Sequence, residues 1–288
     1  MAKPYMMSGM DGQLCPAPRR VGVVHKLSSQ EAAETAAQVS QFLRARGIEV
    51  TSDEGEIGRA AELVVVLGGD GTLIHAATLL EGRAAPILGV NLGNLGFMTE
   101  VPQGELFLAL EEVLSGSARV SERMKLRVHL HRNGAAERAV DMEVLNDVVL
   151  AKGALSRMVE LEIRCGGTFV STLRGDGIIV ATPTGSTAYA LSAAGPIMDP
   201  TMRGVLLAPI CPHTLTQRPL VVPDDKAVEL WIRNDTDVYL TLDGQKGMKL
   251  RRGDRVQAKQ SQNRVLLVRN PRLDFFGILR AKLRWGER

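Results

Sequence analysis

Apolar residues recur along this chain in two rhythms, and the change falls near Arg119. Before it, short continuous runs alternate with helical spacing. Val21-Gly22-Val23-Val24-His25 and Ile87-Leu88-Gly89-Val90 read as buried strands, and Leu63 to Leu67 is an unbroken apolar run. Such runs are expected of strands covered on both faces in a parallel sheet. Ser28-Ser29-Gln30-Glu31 opens a helix with serine caps and an acidic first turn, and Gly47 ends it. Ile48 to Ser52 predicts a further strand. Gly71 to Leu80 and Leu106 to Leu114 predict two further helices. Strands and helices in such alternation argue for an open α/β sheet.

After Arg119 the segments shorten and alternate. Lys125–His131, Ala139–Leu150, Met158–Arg164, Thr168–Leu173 and Ile178–Ala181 predict strands, as do Val228–Arg233, Val238–Leu242, Arg255–Ala258 and Val265–Val268. Gly, Asn and Asp punctuate them, which predicts an all-β domain. Ser186 to Ala194 interrupts it with helical spacing. Phe275 to Trp285 is helical again, with Phe276, Leu279 and Leu283 on one face. The expected organisation is a flexible extension over 1–19, an α/β domain over 20–118, a β-rich domain over 119–268, and a segment over 269–288 that packs back on the α/β domain.

Composition narrows the function. The chain has 288 residues, 45% hydrophobic and 23% charged, which suits a globular protein with a real core. Aromatic residues make up 4% against 29 glycines, which favours a glycine-rich scaffold over rings that stack on single-stranded nucleic acid. A net charge of +3 is mild, and phosphate-bearing small ligands account for it. Lys249, Arg251, Arg252 and Arg255 read as a solvated basic turn, so no nucleic-acid partner is expected. Cys15, Cys165 and Cys211 lack paired or metal-ligand spacing and read as reduced thiols. With no signal-like or membrane-length apolar run, a cytoplasmic protein with no membrane partner is expected.

Three segments carry candidate chemistry. Gly68-Gly69-Asp70-Gly71-Thr72 joins a buried strand to a helix, where ligands of open α/β sheets bind. Its glycines let a phosphate chain approach the backbone, and the helix N-terminus favours anions. Asp70 would repel phosphate, so it either holds a metal or takes a proton from a hydroxyl acceptor. The plainer alternative is a tight turn with Asp70 as helix cap. Second, Arg174, Asp176, Thr184, Ser186, Thr187 and Tyr189 fall within one stretch that ends a strand and opens a helix. Arg174 and Asp176, two apart, would share a strand face. Hydroxyls for ribose, a carboxylate for an amino group and an arginine for phosphate suit a nucleoside. A capped helix explains the hydroxyls but not the convergence. Third, Asn146-Asp147 interrupts an apolar run, which implies a bend, a partner or a ligand, with an ordinary β-turn as the competitor.

Taken together, Gly-Gly-Asp-Gly-Thr at 68–72, Asn-Asp at 146–147, Gly-Asp-Gly at 175–177 and Thr-Pro-Thr-Gly-Ser-Thr-Ala-Tyr at 182–189 resemble the bacterial NAD kinase family. Asn94-Leu95-Gly96-Phe97, residues 209–215 and 218–222, Asp243-Gly244-Gln245 and the closing Phe276 to Trp285 extend the resemblance from about Val21 to the C-terminus. It implies an α/β domain joined to a β-sandwich-like domain with NAD between them. It also implies transfer of a phosphoryl group from ATP, or a related donor, to the 2′-hydroxyl of the adenosine ribose.

On that resemblance Asp70 is the proton acceptor, and Gly68, Gly69, Gly71 and Thr72 form the phosphate-donor loop. Asp70, Gly71, Asn146, Asp147, Asp176, Thr187, Ala188, Tyr189 and Ser192 contact NAD, with Arg157, Arg174 and Gln245 as further contacts. Asp147 departs from the glutamate of many members. A divalent ion, Mg²⁺, would accompany ATP without a protein cage. Homodimers or homotetramers are implied as well. The rival readings are a lipid or sugar kinase with a similar glycine motif, and a sensor that binds the dinucleotide without turnover.

Overall fold

The computed structural model describes residues 12–135 and 137–285. The first elements are β1 (Gln13–Leu14), β2 (Arg20–His25), α1 (Gln30–Arg44), β3 (Glu49–Thr51), α2 (Glu54–Ala60), β4 (Leu63–Leu67), α3 (Asp70–Leu79), β5 (Ile87–Asn91), β6 (Val101–Pro102) and α4 (Leu106–Leu114). Then follow β7 (Arg119–His131), β8 (Arg138–Val144), β9 (Asp147–Lys152), β10 (Val159–Cys165), β11 (Thr168–Gly175) and β12 (Gly177–Ala181). A 3-10 turn (Thr184–Thr187) leads into α5 (Tyr189–Ser192). Last come β13 (Gly204–Ile210), β14 (Leu220–Pro223), β15 (Val228–Ile232), β16 (Val238–Leu242), β17 (Lys246–Leu250), β18 (Arg255–Val268) and α6 (Phe275–Leu283). The chain divides into two compact units, one reaching to Arg123 and resuming at Arg264, the other Met124–Asn263. The expected borders at 118 and 268 shift by five residues, because both changes of unit fall inside long strands, where the alternation does not break.

In the first unit β3, β2, β4 and β5 pair in that order, all parallel, and Leu267 pairs with Ile87. The order reverses direction between β2 and β4, so a topological switch point lies at the carboxyl end of β4. The run Leu63–Leu67 is wholly buried because both sheet faces are covered. Val39 and Leu43 of α1 and Leu106 and Leu110 of α4 join one core with Val21, Val23, Val65 and Leu88. Gly22 and Gly89 belong to the opposite face, where a Cβ would come within 2.8 Å of Ile57 and of Leu73. Ser29 caps α1 by accepting from Ala32 N at 3.2 Å. α2, absent from the sequence reading, is capped by Asp53, which accepts from Glu56 N at 2.8 Å.

The expected extension over 1–19 is corrected from residue 13 onward. Gln13 and Leu14 pair antiparallel with Val120 and Arg119, and Cys15 is buried in the first unit's core. Cys15 N donates to Ala118 O at 2.8 Å, so strand pairing and the buried Cys15 dock the segment, while Leu14 stays exposed. Residues 1–11 lie outside the described residues.

The second unit is a β-sandwich. One sheet runs β14-β13-β12-β9-β16-β17, and the other β11-β10-β15-β18, continued by β7 and β8. Alternate residues of both, such as Leu126, Leu150, Leu161, Val180, Leu230 and Leu240, fill one core. The outer face of β12 and β13 is covered by Ala190 and Met198, which pack on Val149, Ile179 and Leu206. β12 is therefore buried at all five positions. The expected strand Ala139–Leu150 is broken into β8 and β9 by a bend at Leu145-Asn146. β13, β14 and β17 have no counterpart in the sequence reading.

Candidate active site

In the first unit the glycine loop follows β4 at the switch point. Its glycines differ in kind. At Gly68 a Cβ would press on Thr72 Oγ1 at 2.7 Å, so the fold itself demands the glycine. At Gly69 and Gly71 a Cβ would meet nothing within 4 Å. Neither has positive φ. The protein gives no internal reason for glycine there, whereas a ligand that approaches the backbone does. Gly69 is the N-cap of α3 and makes no side-chain cap bond.

Asp70 is not the helix cap that the plainer reading allowed. Its carboxylate turns to the loop after β5 and accepts four hydrogen bonds. Phe97 N donates to Oδ2 at 2.8 Å, while Met98 N, Thr99 N and Thr99 Oγ1 each donate to Oδ1 at 3.1 Å. At Gly96 a Cβ would collide with both Thr99 Oγ1 and Asp70 Oδ1, so only glycine lets the loop wrap the carboxylate. The loop is anchored at its far side by Glu100, which is 2% exposed. Arg269 Nε donates to Glu100 at 3.1 Å, Asn270 N at 3.3 Å, and Arg123 stands at 3.7 Å. Burial raises the Glu100 carboxyl above its usual range, against the pull of Arg269 and Arg123. Sequence reasoning gave no role to Thr99 or Glu100; the visible signal is a polar pair closing the apolar step Phe97-Met98.

In the second unit Leu145-Asn146 is the bend between β8 and β9, Asp147 opens β9, and Asp243 holds all three. The Asp243 carboxylate accepts Leu145 N at 2.7 Å, Asn146 N at 2.7 Å and Asp147 N at 3.0 Å. Asp243 sits at φ 50° in the three-residue turn joining β16 to β17, which also carries Gln245. Asp147 is 5% exposed, and among the described residues its carboxylate accepts no hydrogen bond from the protein. Burial first, and the Asp243 charge second, push its pKa up to about 7. Asn146 Oδ1 and Thr184 Oγ1 are buried without partners. Buried polar atoms without partners are costly, so these two, beside the buried Asp147 carboxylate, mark a place built for something else to bind.

The 182–192 stretch meets that bend. Thr182 Oγ1 donates to Leu145 O at 2.6 Å, and a Gly185 Cβ would lie 2.5 Å from Asn146 C. Several of the expected ligand hydroxyls also bond within the fold. Ser186 Oγ donates to Pro183 O at 2.6 Å and accepts Met198 N at 2.9 Å, and Thr187 Oγ1 donates to Thr184 O at 3.1 Å. The helix expected from Ser186 begins only at Tyr189 and lasts four residues, because Pro183 to Thr187 tighten into a 3-10 turn. Ala188 is half-buried, and Tyr189 and Ser192 are exposed.

Arg174 and Asp176 do not share a strand face, since Asp176 lies where the chain leaves β11 for β12 in the other sheet. Asp176 pairs with Lys152 at 3.2 Å and Arg174 with Glu160 at 3.7 Å. Register sets Asp176 at one end of β12 and the Thr182 turn at the other. Five residues of strand, roughly 17 Å, separate them. Arg157 is exposed in the loop after β9, its carbonyl accepting Thr236 Oγ1 at 3.2 Å. The basic turn carries its own counter-charges: Lys249 pairs with Asp237 at 2.5 Å, Arg252 with Asp235 at 3.1 Å and Arg255 with Glu229 at 3.4 Å. No helix among the described residues is long and apolar enough to cross a membrane.

The likeness to known proteins is extensive. Residues 54–118 match the family model of the ATP-NAD kinase N-terminal domain, and 145–270 that of the C-terminal domain. NAD kinases of Geotalea daltonii and Geobacter sulfurreducens are each 44% identical to it, over 94% of this chain and 100% of theirs. An Archaeoglobus fulgidus NAD kinase solved in complex with ATP is 26% identical, with a TM-score of 0.75 over 91% of this chain and 99% of its own. Yeast NADH kinase complexed with NADH superposes with a TM-score of 0.88 over 98% of this chain and 94% of its own; at 24% identity it speaks for the fold.

Proposed function

The chain belongs to the NAD kinase family and phosphorylates NAD to NADP, and from that premise we propose that Asp70 is the group that accepts the proton of the adenosine-ribose 2′-hydroxyl. The observation that carries the proposal is the fixed carboxylate of Asp70 beside Gly69 and Gly71, at the switch point of the parallel sheet. Oδ2 holds one hydrogen bond and Oδ1 three, so Oδ2 keeps a position for an incoming hydroxyl. In the proposed step the ribose O–H bond breaks as its oxygen bonds the terminal phosphorus of ATP. The proton passes to Asp70 Oδ2, and ADP leaves with the electron pair of the broken P–O bond. Positioning supplies most of the acceleration in such a transfer.

Gly68, Gly69, Gly71 and Thr72 are proposed to border the donor's phosphates. Among the described residues no three His, Cys, Asp or Glu side chains are placed to hold a metal. The Mg²⁺ ion that accompanies ATP would be bound mainly by phosphate oxygens and water and would supply charge neutralisation. Asn146 and Asp147 are proposed to receive the nucleosides of NAD, supported by their unsatisfied oxygens, with Thr187, Ala188, Tyr189, Ser192 and Gln245 around them. Arg157, Arg174 and Asp176 are proposed as contacts nearer the far end of β12. Homodimers or homotetramers in the cytoplasm complete the reading on family resemblance.

The test is NADP formation from ATP, Mg²⁺ and NAD, with Asp70→Asn beside the native enzyme. The variant should keep its affinity for NAD and lose about 10²–10⁴ in kcat. Near-native kcat would overturn the assignment.

A further inference from the structure

Thr99 supplies the one side-chain hydrogen bond to the Asp70 carboxylate among the described residues, the other three donors being main-chain N–H groups. Thr99 is wholly buried, and behind it stands Asn91, also buried. The Asn91 amide can face only one way. Its Oδ1 accepts Gly93 N at 2.6 Å and its Nδ2 donates to Asn94 O at 2.5 Å. A main-chain N–H only donates and a carbonyl only accepts, so a flipped amide would set donor against donor and acceptor against acceptor. The second Nδ2 hydrogen then points to Thr99 Oγ1 at 3.2 Å.

We propose that Asn91 and Thr99 form a one-way hydrogen-bond relay that orients Asp70, with Thr99 as a positioning residue for the phosphoryl transfer. The idea rests on Asp70 as proton acceptor. A hydroxyl has one proton. Having accepted from Asn91, Thr99 gives that proton to Asp70 Oδ1. Three donors then converge on Oδ1, and a carboxylate oxygen offers about two lone pairs, so Oδ1 is saturated. The relay reinforces the main-chain donors that leave Oδ2 as the atom that meets the ribose hydroxyl, and it locks the carboxylate against rotation. Reversing the first link would undo it. An aspartate at 91 cannot donate, and it would draw the Thr99 proton away from Asp70.

The experiment compares Thr99→Val, Thr99→Ser and Asn91→Asp in the full chain, alone and with Asp70→Asn. It reads kcat, KM for NAD and for ATP, and thermal midpoint. Valine keeps the shape of threonine and lacks the hydroxyl; serine keeps the hydroxyl. Thr99→Val and Asn91→Asp should each lose about tenfold or more in kcat, the weight of one hydrogen bond to a charged group, while KM values change by less than about threefold. Thr99→Ser should retain most of the native kcat. In the Asp70→Asn background Thr99→Val should cost nothing further, because its effect runs through the carboxylate.

If Asp70→Asn loses turnover while Thr99→Val keeps native kcat, the relay falls and the role of Asp70 stands. If Asp70→Asn keeps turnover, the role of Asp70 falls and takes the relay with it. Equal losses in the serine and valine variants, or a full further loss in the Asp70→Asn background, would also overturn the relay. Should Thr99→Val fail to fold, native kcat in Asn91→Asp decides against it.

Discussion

Asp243 Oδ1 accepts the main-chain N–H of Asp147 at 3.0 Å, so the carboxylate that holds the bend stands beside a second, buried one. The two oxygens of Asp243 are satisfied by three backbone donors, while Asp147 receives none. The unequal pairing has a pH signature. Asp147 titrates near pH 7 in the folded chain, against 3.8 for a free carboxyl. Between those values the folded state binds more protons than the unfolded, so this contribution to stability is present below about pH 4 and lost as pH rises through 7. Without ligand, Asp147→Asn should therefore gain in thermal midpoint relative to the native protein from pH 5 to pH 8, by a few degrees at about 2–4 °C per kcal/mol. Calorimetric scans of both proteins across that range check it. A constant difference would mean that Asp147 does not titrate there.

The open space above Gly71 separates fold from function. It lies in the first turn of α3, and no Cβ clash forbids alanine. Gly71→Ala should leave stability unchanged or raise it by roughly 0.5–1 kcal/mol, since glycine is a poor helix residue. The same methyl would stand where phosphate is proposed to approach, so KM for ATP should rise. A variant with a native thermal midpoint and native KM for ATP would remove Gly71 from the donor loop.

Glu100 tests the opposite case, a charge that serves the fold first. It is 2% exposed, with Arg123 at 3.7 Å and Arg269 at 3.1 Å. Glu100→Gln takes the carboxylate charge away from the buried Arg123 and the partly buried Arg269, and breaking one side of such a pair costs on the order of 3 kcal/mol. Denaturant unfolding should show a lower midpoint with an unchanged slope. A midpoint equal to the native one would show that the pair contributes nothing.

Much of the first unit was legible because its signals are local. The run Leu63–Leu67 specifies a two-faced buried strand by itself, and Ser29 caps α1 where the serine pair foretold it. The motif residues Asp70, Asn146 and Asp147 were legible as types out of place. What failed depends on partners distant in sequence. The braces Thr99 and Asp243 act across 29 and 96 to 98 residues, and no periodicity marks them. The face shared by Arg174 and Asp176 failed because the chain changes sheets between them. Ser186 looks like a ligand hydroxyl in the sequence because its partner, Met198 N, lies twelve residues ahead. β17 has no sequence signal because Gly244-Gln245-Lys246-Gly247 hides a hairpin strand under polar residues, whereas α2 carries its own in the Asp53-to-Glu56 cap.

The last prediction concerns what Asp147 does when NAD binds. Its carboxylate is buried and accepts nothing from the protein, so ribose hydroxyls at this bend would be its first donors. Donors to the ionised form favour that form, so binding should pull the Asp147 pKa below 7 and release a proton at pH 6. The sign follows: NAD affinity should be highest above pH 7 and fall below it, by up to about tenfold per pH unit. Asp147→Asn removes the charge. It should bind NAD more weakly at pH 8, because hydroxyls pair better with a charged acceptor than with an amide, and its affinity should be flat with pH. Asp147→Glu should keep the pH dependence if a water now fills the gap to the ligand, and should bind poorly if the bend already meets the ribose directly. Calorimetric titration of NAD into the three proteins at pH 6 and 8, in two buffers of different ionisation heat, measures affinity and proton release together. An Asp147→Asn protein that binds NAD as tightly as the native one at pH 8 would make Asp147 a structural residue of the bend and nothing more.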